Sequence, residues 1–78
     1  MEKQMYYNFL KTKDRIGGTL KTEVYRYNNE VYKAFSHYAR DKDMVIVGYG
    51  ESDSEEIAVK LSRKDLRKEW KEEQVSNQ

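Results

Sequence analysis

Turn-forming residues interrupt this chain at intervals too short for anything but hairpins. Clusters of Asp, Asn, Gly, Ser and Glu at 14–18, 28–29, 40–43 and 51–55 read as turns. The segments they leave have strand character. Residues 5–12 are rich in aromatics, 19–27 alternate apolar with polar, 30–39 hold Val31, Tyr32, Phe35 and Tyr38, and 44–49 are nearly all apolar. The last of these reads as the central strand. Connections of this length join neighbouring antiparallel strands, so the expected order is a meander.

The stretch after Gly50 admits two parses, one long helix over 53–73 or a strand followed by a shorter helix. At about 100° per residue, Val59, Leu66 and Trp70 share one helical face while Ile57, Ala58 and Leu61 point to the other side. A strand over 56–61 instead places Ile57, Val59 and Leu61 on one face with period two. In that parse Ser62 is an N-cap and Asp65 takes the acidic place of a capping box before Leu66 and Trp70. The expectation is therefore an α+β fold: an antiparallel five-stranded meander, forming a small curved sheet or partial barrel, followed by one C-terminal helix over 63–73. Residues 74–78 are expected to be a flexible tail. The strand at 56–61 is expected to pack against Val45 or Val47, and Trp70 to anchor the helix on the sheet.

Gly48-Tyr49-Gly50-Glu51-Ser52, if followed by a helix, resembles the tail of the sheet in HicB-type antitoxins. The resemblance covers fewer than a dozen residues and implies a helix that begins near Asp53. The Tyr- and Pro-containing signature of that family is missing upstream, and the chain has no Pro at all.

With 78 residues the chain suffices for one domain over 1–78, since two cores would each fall short of the roughly 40 to 60 residues a domain needs. The core should be thin, because hydrophobic and charged residues are each 37% of the chain. Without Cys there are no disulfides or thiolate ligands, which fits a reducing cytoplasm. No apolar run of signal-peptide or membrane-span length occurs, so the expected location is cytoplasmic with no membrane partner. Fifteen Lys and Arg against fourteen Asp and Glu leave a net charge of +1, so any electrostatic function is local.

Catalytic equipment is sparse. His37 is the only histidine, shares its strand face with Phe35 and Ala39, and lacks a partner to orient or tune the ring, so it reads as structural or exposed. Glu51, Asp53, Glu55 and Glu56 lack the ligand alternation of a calcium loop, and no His/Asp/Glu spacing suits zinc. Gly48 and Gly50 form a bare G-x-G, Gly17-Gly18 lacks the Lys-Ser/Thr of a phosphate loop, and both pairs read as bends. The expectation is a protein that is not an enzyme and uses no cofactor or metal.

Two features point to binding. Tyr25 and Tyr27 alternate with Val24 and Arg26, so they share a face with Lys21 and Glu23, opposite Leu20 and Val24. Tyrosines interleaved with Lys21, Arg26 and Lys33 suit a peptide-binding or base-stacking platform, although tyrosine is also an ordinary strand residue. The helix carries the second feature. Arg63, Lys64, Arg67, Lys68 and Lys71 crowd its first two-thirds and Glu69, Glu72 and Glu73 close it, against the helix dipole and with like charges at i, i+4. The basic cluster either serves a partner or neutralises the acidic residues of 51–56. The leading expectation is a small binding or regulatory module acting through protein–protein contact, an inhibitor-type protein of a phage or mobile element. The alternative partner is single-stranded DNA or RNA, taken by the tyrosines and the basic helix.

Overall fold

In the computed structural model, which describes residues 4–76, four strands and one helix follow one another: β1 (Gln4–Asp14), β2 (Gly18–Tyr27), β3 (Val31–Tyr38), β4 (Gly48–Ser52) and α1 (Glu55–Ser76). The strands form one antiparallel sheet in the order β1-β2-β3-β4, with α1 on one face. The α+β class and the meander agree with the sequence expectation. The strand expected at 56–61 does not exist, and those residues lie inside α1.

Asn28, Asn29 and Glu30 connect β2 to β3. Asn28 and Asn29 have φ values of 51° and 58°, and the Glu30 amide donates to the Tyr27 carbonyl at 2.9 Å, so the three-residue loop opens with a tight turn of left-handed central positions. The turn fixes the β2–β3 register, pairing Tyr27 with Val31 and Leu20 with Tyr38. In β1 the register shifts between Tyr6 and Asn8, a bulge that leaves Tyr7 against Tyr32 and Asn8 against Glu55 on the helix side.

The apolar run 44–49 is not the central strand. Asp41 receives the Val45 and Ile46 amides on its two carboxylate oxygens, and Met44 has φ of 49°, so this segment is tied to a loop and not to a ladder. Met44 and Val45 are 53% and 75% exposed. The fourth strand begins only at Gly48 and lies at the sheet edge.

Why α1 is continuous follows from what it packs on. Gly48 and Gly50 face the helix, and a Cβ on either would come within 2.2 Å of a helix carbonyl, of Ser62 and Ala58 respectively. The two glycines are therefore a landing strip for the helix backbone and not bends. Small residues meet them, so the buried stripe of α1 is Ala58, Val59, Ser62 and Leu66, while Ile57 and Leu61 remain 49% and 44% exposed. The helix does not bury both apolar faces. Ser54, not Ser62, stands at the N-cap position, with its carbonyl accepting from the Ala58 amide at 3.0 Å and its hydroxyl from Ile57 at 3.5 Å. This is the helix start that the HicB-type resemblance implies. The helix also continues through residues expected to be a tail, as far as Ser76, and 77–78 lie outside the described residues.

The core has two apolar clusters, Val24, Ala34, Ala58 and Val59 in one, Leu20, Tyr38 and Leu66 in the other. Between them lie the buried hydroxyls of Thr22, Ser36 and Ser62, bonded to one another at 2.8 and 2.7 Å. Trp70 packs edge-on against Tyr38 with centroids 4.8 Å apart and Arg40 over its ring, so it anchors the helix while half-buried.

Candidate functional site: the open face of the sheet

With α1 on one side, the odd-numbered residues of β2 and β3 face the other. Lys21, Glu23, Tyr25 and Tyr27 alternate with the buried Leu20, Thr22 and Val24, and the hairpin register sets them beside His37, Phe35, Lys33 and Val31. The β1 bulge keeps both Tyr6 and Phe9 on this face. The outcome is a continuous aromatic row across all four strands. Tyr6 meets Tyr25 at 5.6 Å, Tyr25 meets Phe35 at 5.9 Å and Phe35 meets Tyr49 at 5.1 Å, the first two edge to face. Tyr6, Phe9 and Tyr49 are exposed.

Charges frame the row. Lys33 places its Nζ 4.0 Å from the Tyr27 ring centroid, Lys11 stands opposite Lys21, and Lys13 follows on the same face of β1. Two carboxylates sit among the rings. Tyr25 donates its hydroxyl to Glu23 at 2.9 Å and Tyr49 donates to Glu51. The hydrogen bond to Glu23 raises the Tyr25 pKa, and burial followed by the Glu51 bond pushes Tyr49 up to about 12. Both phenols are thus held as donors to carboxylates. The surface offers ring faces, lysine ammonium groups and engaged acceptors, a chemistry of contact.

Of the residues the sequence singled out, Lys21, Tyr25 and Tyr27 lie together on this face. Arg26 does not. It points to the opposite side, with its guanidinium 5.5 Å from the Tyr32 ring centroid and Nη2 3.4 Å from the Asn29 carbonyl. The helix cluster divides in two. Arg67 pairs with the buried carboxylate of Asp14 at 2.8 Å, and Arg63 donates from Nε to Thr22 at 3.4 Å. Burial and then the neighbouring Arg67 hold the Arg63 pKa below its ordinary value. Lys64, Lys68 and Lys71 remain on the surface.

Tyr6, Phe35 and Tyr49 complete the row, Phe9 lies on the same face, and none of the four was singled out. Phe35 was not within reach, since a two-residue turn at Asn28-Asn29 would pair 23 with 34, and only the three-residue loop 28–30 pairs 23 with 35 and puts the odd positions of both strands on one face. Tyr49 required the true start of β4, which the apolar run before it obscures. Among the described residues no helix is long and apolar enough to cross a membrane. The chain matches no protein-family model, no curated protein and no solved structure.

Proposed function

We propose that the protein is a non-catalytic binding module that acts by docking another protein on the open face of its sheet. The aromatic row Tyr6, Tyr25, Phe35 and Tyr49 carries this reading, because it is apolar, continuous over four strands and uncovered, whereas α1 covers the opposite face over β3 and β4. The matching surface is an apolar ridge flanked by carboxylates, which would meet the rings and then Lys11, Lys21 and Lys33. Such a module serves as a regulator or an inhibitor by occupying its partner's surface, as small proteins of phages and mobile elements do.

A second reading, single-stranded DNA or RNA stacked along the same row, is favoured by the four lysines of the face, Lys11, Lys13, Lys21 and Lys33. Glu23 and Glu51 weigh against it, since each places a carboxylate where a phosphate backbone following the rings would run. The net charge of +1 adds no general attraction.

Photo-crosslinking residues at positions 9 and 49, with position 72 on the outer helix as control, test the proposal. Protein adducts from 9 and 49 and none from 72 are expected. Adducts confined to 72 would move the binding surface to the helix with Lys64, Lys68 and Lys71. Titration of a fluorescent oligothymidine separates the two readings, because a steep fall of affinity with salt belongs to phosphate contacts.

A further inference from the structure

We infer that the outer edge of β4 is a second binding surface, which accepts an extended, apolar and acidic segment of a partner protein as an added strand beneath Ile57 and Leu61. This inference is independent of the open face. Because Gly48 and Gly50 seat the helix backbone directly on β4, the helix runs above the outermost strand, and its Ile57–Leu61 flank hangs beyond the sheet. Both side chains are exposed there without a layer beneath them. A groove of about 470 Å³ lies along this edge, lined among others by Tyr49, Gly50, Leu61, Lys64 and Lys68.

The backbone of the edge is suited to pairing. Tyr49 donates its amide to the Asp65 carboxylate at 3.0 Å, so that amide points away from β3, and the Glu51 amide, two residues on, has the same sense. Asp65 holds the place that a carbonyl of an added strand would take. A carboxylate there also guards the edge against unselective pairing, and a partner must displace it.

Distances decide which occupant fits. An added strand lies about 4.8 Å from β4, which places it under the overhanging Ile57 and Leu61. A second copy of this chain pairing β4 with β4 would bring its own helix, seated directly above its own strand. The two helix axes would then be about 4.8 Å apart, where packed helices need about 8 to 10 Å. That copy would also turn Gly48, Gly50 and Ser52 towards Ile57 and Leu61, with almost no side chain to cover them. The occupant is therefore a strand without a helix on it, carrying apolar side chains on its helix-facing side.

Charge adds the second requirement. Among the described residues, neither Lys64 nor Lys68 has a carboxylate within 4.0 Å, while both nearby carboxylates are taken by Tyr49, Glu51 by its hydroxyl and Asp65 by its amide. Acidic side chains on the added segment would meet the two lysines.

The probe is a phage-displayed library of random decapeptides, selected on the full chain and counter-selected on Leu61→Asp, a surface variant whose fold is verified by thermal melting. Enrichment of peptides that alternate apolar residues and carry Asp or Glu is expected. In fluorescence anisotropy, a selected peptide should bind about tenfold more weakly to Leu61→Asp and to the Lys64→Glu/Lys68→Glu pair, and more tightly to Asp65→Ala. N-methylation of alternate peptide amides should abolish binding, and Tyr25→Ser on the open face should leave it unchanged. Recovery of no Leu61-dependent peptide, or equal binding of the N-methylated form, would overturn the inference. So would sedimentation of the free chain as a dimer that Leu61→Asp dissociates, which would assign the edge to a second copy.

Discussion

Ser62 donates its single hydroxyl proton to the Val59 carbonyl at 2.8 Å, so its 2.7 Å bond to Ser36 must be one that it accepts. Ser36 gives its proton to Ser62 and accepts from Thr22 at 2.8 Å, and Thr22 accepts from Arg63 Nε at 3.4 Å. Three fully buried hydroxyls thereby form one directed chain from a half-exposed guanidinium to a helix carbonyl. Removal of the middle member should be the costly change. Ser36→Ala leaves the Thr22 hydroxyl without an acceptor in the core, and should lose about 1 to 3 kcal/mol in urea melts. Replacement of all three at once, Thr22→Val with Ser36→Ala and Ser62→Ala, leaves no buried hydroxyl proton without an acceptor and frees only the half-exposed Arg63 Nε, so it should cost less than the sum of the three single changes. Additive losses would show that the hydroxyls act independently.

At the scale of elements, the contact between α1 and β4 decides the fold, and it is made of the smallest side chains in the protein. Gly50→Ala would drive a methyl against the Ala58 carbonyl, where neither backbone can yield, so it should cost about 3 kcal/mol or more or leave the helix undocked. Circular dichroism with a denaturant melt checks this, and a loss below about 1 kcal/mol would mean that the helix does not sit on β4. The same contact explains what could be read beforehand. The Asn28-Asn29 hairpin, the meander and the shared face of Lys21, Tyr25 and Tyr27 are local properties of turn chemistry and period two, and they were legible in the sequence. The helix was not, because the reading required every large apolar residue to be buried. Ile57 and Leu61 break that requirement, while Ala58 and Ser62 against Gly48 and Gly50 supply an interface with little hydrophobic signal. The run 44–49 misled for a related reason. Its strand character was overridden by Asp41, whose carboxylate takes the two amides that a ladder would have used.

For the whole molecule, one polar junction links three separated parts of the chain, and its titration should set both limits of stability with pH. Asp14, at the end of β1, accepts from the Tyr38 hydroxyl at 2.9 Å, from Arg67 Nε at 2.8 Å and from the Ile16 amide at 3.0 Å. Burial opposes its ionisation, but the Ile16, Arg67 and Tyr38 bonds outweigh it and hold the carboxyl below its ordinary value of 3.8. A carboxyl depressed in the folded state binds its proton more readily once unfolded, so the stability it contributes is present above pH 3.8 and is lost as pH falls through the lower folded value. Tyr38 sets the alkaline side. Burial first, then the bond to Asp14, pushes its phenol up from 10.0 to about 12. Its stabilisation is complete below pH 10.0 and is lost as pH rises towards about 12, because the unfolded chain ionises first. Urea midpoints measured between about pH 2 and 12 should therefore show a plateau with a decline at each end. Asp14→Asn should lower the plateau, since Arg67 loses its partner, and flatten the acid decline. Tyr38→Phe should flatten the alkaline decline and, because Asp14 loses one of the bonds that hold it low, make the acid decline shallower but not abolish it. If both variants kept the wild-type slopes at both ends, the junction would not be what governs the response to pH.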